Sequence, residues 1–206
     1  GINSLNKELE LFSFYYGYPC SNITWEEYEN SEYIILGHFT TSVFLDSILL
    51  DGLDAPINTN KFSNKDMFMD GDEYYIYLTG HFDSLFAENA VKKFGGKKIL
   101  LLVKVRKKTL ELDDLRNIYT NQGIDLTCQR TIYEVLHKNI MCQCRTKVKI
   151  LSEQIIEILD VDKIFSERLT INEESYLNRR YLTFSELKKN VNIELLRFQP
   201  ISPPLH

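Results

Sequence analysis

Two short stretches carry residue types that do chemistry together: His38-Phe39-Thr40 and Tyr77-Leu78-Thr79. A neutral histidine presents one ring nitrogen as a donor and the other as an acceptor, so at a strand end it can hold a hydroxyl. A tyrosine ring offers its face to a cation. The backbone next to Gly37 can be approached closely, because glycine leaves room. Stabilising a developing positive centre needs a carboxylate. Glu134, in Arg130-Thr131-Ile132-Tyr133-Glu134, is the best-placed carboxylate upstream of a late strand.

Metal chemistry is not expected. The cysteines are Cys20, Cys128, Cys142 and Cys144, and the last two are one residue apart, unlike the C-x-x-C of zinc and redox sites. The histidines at 38, 81, 137 and 206 are scattered, so no ligand grouping forms. The plain reading is reduced, partly buried thiols in a cytoplasmic protein.

The elements that must position these residues follow from periodicity. Residues 3–13 read as a short amphipathic helix, with Leu5, Leu9 and Phe12 at helical spacing. Residues 33–39 read as a buried strand ending near Gly37. Thr40-Thr41-Ser42 then cap a helix that turns Val43, Phe44, Ile48 and Leu49 inward and stops at Asp51-Gly52. Residues 54–73 form a long polar loop, suited to covering a ligand. A second strand over 74–79 leads into a helix with Leu85, Phe86, Ala90 and Val91 on one face, capped by Thr79 and ended by Gly95-Gly96. Residues 98–105 form an apolar central strand. Loop and short helix follow over 109–125, then a helix over 129–140, a strand over 145–150 and a turn or short helix over 152–158. Helical patches lie around 173–180 and 183–196.

The 206 residues include 24 Lys+Arg and 29 Asp+Glu, a net charge of −5, and 44% are hydrophobic. That balance excludes broad disorder, and no run of about 18 apolar residues exists to span a membrane. Gly1-Ile2-Asn3-Ser4 carries no signal-peptide pattern. The expectation is a single domain over 1–206, with a core at about 33–160 and a helical C-terminal extension over 161–206. Charge is uneven: residues 92–149 hold 14 basic and 5 acidic groups, whereas residues 1–91 hold 3 and 15. The basic block either meets phosphates or faces the acidic N-terminal half of its own fold, and the second is favoured.

The order of three pieces resembles the ADP-ribosyltransferase superfamily, including its diphtheria-toxin- and PARP-like members, its DNA- and rifampin-modifying members and the RNA 2′-phosphotransferases. The pieces are His38-Phe39-Thr40 with a helix ending at Gly52-Leu53, Tyr77-Leu78-Thr79 with a helix containing Ala87 and Ala90, and Gly95-Gly96 entering an apolar strand. The similarity covers about residues 33–106, and more weakly 143–158. It implies an α+β fold built on a split, strongly twisted, antiparallel-rich sheet flanked by helices. It also implies NAD as co-substrate and no metal. His38, Phe39 and Thr40 would bind NAD, Tyr77 would stack on nicotinamide, and Thr79 and Phe86 would close the pocket, although a core Phe and a packing Tyr75 are the plainer readings there. Many superfamily members place a Glu at the start of the late strand, where this chain has Gln143 and Cys144. Glu134 is therefore the candidate catalytic carboxylate.

The implied activity is mono-ADP-ribosyl transfer from NAD to a macromolecular acceptor, protein or nucleic acid, with release of nicotinamide. A toxin or effector of this kind would be delivered into a target-cell cytoplasm and would meet an antitoxin or immunity partner. Two alternatives remain. An RNA 2′-phosphotransferase would use His81 and Arg145 on phosphate, and a non-catalytic module would use the basic 92–149 segment on nucleic acid.

Overall fold

The computed structural model describes residues 7–14, 23–59, 73–113, 125–138, 143–167 and 183–200. Of the expected loop over 54–73, residues 60–72 lie outside these residues and 56–59 are a short helix; the helical patch around 173–180 and Ile140 also lie outside. The chain is α+β, with a seven-stranded, mainly antiparallel sheet flanked by helices. Its strands are β1 (Lys7–Glu10), β2 (Ser31–Thr41), β3 (Ile76–Thr79), β4 (Lys98–Arg106), β5 (Leu110–Leu112), β6 (Gln143–Thr146) and β7 (Ile155–Asp160). The helices are α1 (Trp25–Glu29), α2 (Leu45–Asp51), α3 (Pro56–Thr59), α4 (Leu85–Phe94), α5 (Gln129–Lys138), α6 (161–167) and α7 (Phe184–Asn190).

Strand order is β5-β6-β3-β2-β4-β7, and β1 pairs with β2 in parallel. β2 and β4 match residue for residue from Tyr33↔Arg106 to Thr41↔Lys98. That ladder uses one whole edge of β2, so β1 and β3 must share the other. β3 meets β2 at a single pair, Gly37↔Thr79. On the N-terminal side of this pair the chain after β1 is wedged in: Phe12 N–H donates to Ile35 O, and Ser13 N–H to Gly80 O. β2 and β3 are therefore joined within the one sheet by a single register pair, at Gly37.

Two apolar clusters cover the sheet. The larger holds Ile34, Leu36, Leu78, Leu101, Cys144 and the inner face of α5; the smaller holds Phe12, Phe14, Phe39, Phe82, Leu100 and Phe184. β4 serves both, because odd and even residues of a central strand face opposite layers. Its Ile99, Leu101 and Val103 face the larger cluster, and Leu100 and Leu102 the smaller.

Several elements differ from the periodicity reading. Residues 7–10 are a strand, not a helix. Leu9 and Leu11 enter the larger cluster while Phe12 and Phe14 enter the smaller, a two-residue alternation that the spacing of Leu5, Leu9 and Phe12 concealed. β2 runs on to Thr41, because β4 supports it throughout. Gly37 is there so that the Phe12 ring can lie against the backbone, where a Cβ would come within 2.7 Å of Phe12 Cδ2.

A 3-10 turn at Ser42–Phe44 precedes α2, and Thr41 Oγ1 accepts from Val43 N–H. The shift rotates the helix so that Leu45 and Ile48 are buried, while Val43 and Leu49 are 53% and 47% exposed. In α4 the buried residue is Ala87, and Leu85 points outward. β6 begins at Gln143, not 145. Residues 155–160 are a strand after a 3-10 turn at Ser152–Gln154, since β4 offers them a ladder. The helix at 129–138 matches its expectation, with Ile132, Val135 and Leu136 buried.

Candidate functional site at the split in the sheet

Beyond Gly37 on β2 and before Thr79 on β3 the two antiparallel strands have no further register pair, and the His38 side chain bridges that gap in the ladder. Its Nδ1 lies 2.8 Å from the main-chain oxygen of Tyr77. A carbonyl only accepts, so Nδ1 carries the proton and Nε2 is left with a lone pair. Nε2 has no partner among the described residues. Burial pushes the ring's pKa below its ordinary value, outweighing the opposite pull of the Tyr77 carbonyl. The half-buried imidazole is thus neutral, with an acceptor ready for a hydroxyl.

The next residue supplies main-chain groups. Along a strand, successive residues point their N–H and C=O to alternate edges. Ile35 O accepts from Leu11 and Phe12 on the β1 side. Phe39 must therefore direct its N–H and C=O to the same edge, on the β3 side. No register pair joins Phe39 to β3. A donor and an acceptor side by side match a carboxamide.

The other candidates are placed as follows. Thr40 shares the His38 face of β2 and is buried. The Phe39 ring belongs to the smaller cluster, edge-on to Phe82 at 5.5 Å. Phe86 is half-buried and packs against the same cluster. Thr79 does not cap α4. Its hydroxyl donates to His81 O and accepts from His81 N–H, while Ser84 is the α4 N-cap and Asp83 Oδ1 accepts from Leu85 N–H. Ile76 and Leu78 point into the larger cluster, so Tyr75, Tyr77 and Thr79 face the opposite side. Tyr77 is half-buried there, its ring 6.5 Å from that of Tyr75.

Glu134 stands apart from this group. It lies on the solvent side of α5, 51% exposed, and pairs with Arg130 at 3.3 Å. The inner face of α5 packs on α1, where Trp25 stacks on Tyr28 and the Tyr133 ring lies tilted against both. Gln143 is half-buried at the head of β6 and pairs with Thr79, so Gly37, Thr79 and Gln143 form one row across the sheet. Cys144 is buried in the larger cluster.

Sequence reasoning missed a polar row beside the gap. Tyr77, Arg145 and Glu111 are in register across β3, β6 and β5. Arg145 Nε donates to Glu111 Oε1 at 2.8 Å, and its guanidinium lies 3.9 Å from the Tyr75 ring centre. Burial and a hydrogen bond to Glu111 raise the Tyr75 pKa. The available signal was alternation, since Tyr75, Tyr77, Arg145 and Glu111 are the outward positions of three short strands.

The basic block does not form one open face. Lys98 pairs with Asp162, Lys104 with Glu8, Arg106 with Glu32 and Arg145 with Glu111. Lys107 is buried against helix-end carbonyls. Among the described residues no helix is long and apolar enough to cross a membrane, and no group of three or more His, Cys, Asp or Glu could hold a metal. No known protein-family profile matches the chain, and no curated protein does.

Proposed function

We propose that this chain is an ADP-ribosyltransferase-like enzyme that takes NAD into the gap between β2 and β3 and transfers ADP-ribose to a macromolecular acceptor, protein or nucleic acid, releasing nicotinamide. The observation that carries the reading is the His38 bond to Tyr77 O. It leaves Nε2 as an acceptor for a ribose hydroxyl, next to the main-chain groups of Phe39, whose donor and acceptor suit the nicotinamide carboxamide. Tyr77 borders the same gap from β3, with its ring on the face of the sheet opposite the His38 imidazole, and there it offers an aromatic face for the cationic ring. The single register pair between β2 and β3 is compatible with the split sheet of the superfamily that the sequence resembles.

The alternatives have less support. A 2′-phosphotransferase would want Arg145 on phosphate, but Glu111 already engages it. A nucleic-acid module would want an open basic face, whereas Lys98, Lys104, Arg106, Arg130 and Arg145 are paired with acidic residues of the same chain.

The test has two stages. NAD should raise the melting temperature, since a ligand at 100 times its Kd contributes about 2.7 kcal/mol. His38→Ala should keep its fold and lose most of that shift. Labelled NAD then separates transfer from hydrolysis, by following the label into an acceptor or into free ADP-ribose. No stabilisation by NAD in the wild-type chain rejects the reading.

A further inference from the structure

The row beside the gap raises an electrostatic question that the NAD reading makes specific. Arg145 stands directly opposite Tyr77 in the β3–β6 ladder, and its side chain is only 9% exposed. The nicotinamide ring of NAD+ is itself a cation. A buried guanidinium one strand away from the ring's proposed stacking partner would repel it.

Glu111 offsets that repulsion. It lies on the far side of Arg145 in the same row, 21% exposed, with 2.8 Å between Oε1 and Nε. Stability alone does not explain the pair. Taking two charges out of water costs several kcal/mol per ion, and well-packed apolar residues in their place are often at least as stable. Three short strands could have kept an apolar strip at these positions. They instead hold a cation stacked on Tyr75 and an anion that neutralises it.

We infer that Glu111 sets the charge preference of the site: by offsetting Arg145 beside Tyr75 and Tyr77, it lowers the positive charge of the strip next to the gap, so that the cationic nicotinamide ring is admitted. This inference rests on the NAD reading. Glu111 is a specificity-determining residue that acts through Arg145 and does not touch the ligand. Among the described residues Lys147, whose Nζ lies 5.1 Å from the Tyr75 ring centre, is a second cation near the strip, and its exposure lets solvent screen it.

The test titrates NAD+ and NADH, whose nicotinamide ring is neutral, into the full chain. A unit charge about 10 Å away, in an effective dielectric of about 20, changes the affinity of a cation roughly tenfold. Glu111→Gln should weaken NAD+ by about that factor while leaving NADH within about twofold. Arg145→Gln leaves Glu111 without its guanidinium partner and should shift the ratio the opposite way. The double variant should return it to the wild-type value, and if Glu111→Gln does not fold, the other two variants carry the test. An unchanged NAD+/NADH ratio in all of them, or equal losses for both nucleotides, overturns the inference while leaving the NAD reading standing. A wild-type chain that binds neither nucleotide overturns both.

Discussion

His38 and Tyr77 are joined by a side chain that does the work of a main-chain ladder: the imidazole Nδ1–H donates to the Tyr77 carbonyl at 2.8 Å, where β2 and β3 have no further register pair. One interaction thereby bridges the two strands and fixes the tautomer.

That bond has a pH signature. Burial lowers the folded-state pKa of His38 below its unfolded value of about 6.5. Between the two values the unfolded chain binds a proton that the folded chain does not, so stability falls as pH drops through that window. Above about pH 6.5 both states are neutral and the term vanishes. Melting curves from pH 7 to 5 should show the wild type losing stability faster than His38→Gln. Parallel curves for the two proteins would show that His38 titrates normally.

Gly37→Ala tests the β2–β3 junction itself. The added methyl would meet the Phe12 ring, with Leu100 Cδ1 3.1 Å away on the same side. Phe12 is fully buried between Phe14 and Phe39 and has nowhere to retreat. Overpacking of this kind costs about 1–3 kcal/mol. Urea unfolding should register that loss, and NAD affinity should fall with it, because Gly37 is the one β2 residue paired to β3. Unchanged stability would mean that the wedge of residues 11–14 is loosely held.

The sequence revealed some of this and hid the rest, for physical reasons. β4 was legible because a fully buried central strand is apolar on both faces. α5 was legible because its Ile132, Val135 and Leu136 keep one helical stripe. β1 and β7 were not legible, because each owes its strand state to a neighbouring ladder and not to its own pattern. His38 and Tyr77 were legible as residue types, but their bond uses the Tyr77 backbone, which no side-chain pattern encodes. The Arg145–Glu111 pair was hidden because residues 34 apart become neighbours only when β5 folds onto β6.

Lys107 carries a separate prediction. Its ammonium is buried and donates to Tyr28 O at 2.6 Å and Glu29 O at 2.7 Å, tying the end of α1 to the turn after β4. The Tyr28 ring lies 4.9 Å below it. Burial lowers its pKa, against the pull of Glu29. Lys107→Met keeps the aliphatic stem but removes both bonds; Ser31 Oγ still donates to Tyr28 O at 2.8 Å, so the loss falls mainly on Glu29 O and amounts to about 1–3 kcal/mol. Thermal unfolding checks this, with NAD affinity expected to hold because α1 lies away from the β2–β3 junction.

The carboxylate of the reaction is the last matter, and two variants address it together. Glu134 was the sequence candidate, yet it is half-exposed and held by Arg130 on the outer face of α5. An exposed pair of this kind contributes about 0.3–0.5 kcal/mol, so Glu134→Gln should fold normally. Its single-turnover release of nicotinamide should stay within about threefold of wild type, since a solvent-screened charge does little for a distant cation. Gln143 occupies the better position, in the row with Thr79 and Gly37. Its amide oxygen can accept a ribose hydroxyl but carries no charge to stabilise an oxocarbenium-like centre. Gln143→Glu keeps the shape and adds that charge, so single-turnover release should rise by about tenfold or more with little change in NAD affinity. A fall of about 100-fold in Glu134→Gln would instead return Glu134 to the reaction. A Gln143→Glu variant that folds and binds NAD but gains nothing would show that the row through Gly37 does not face the reacting ribose.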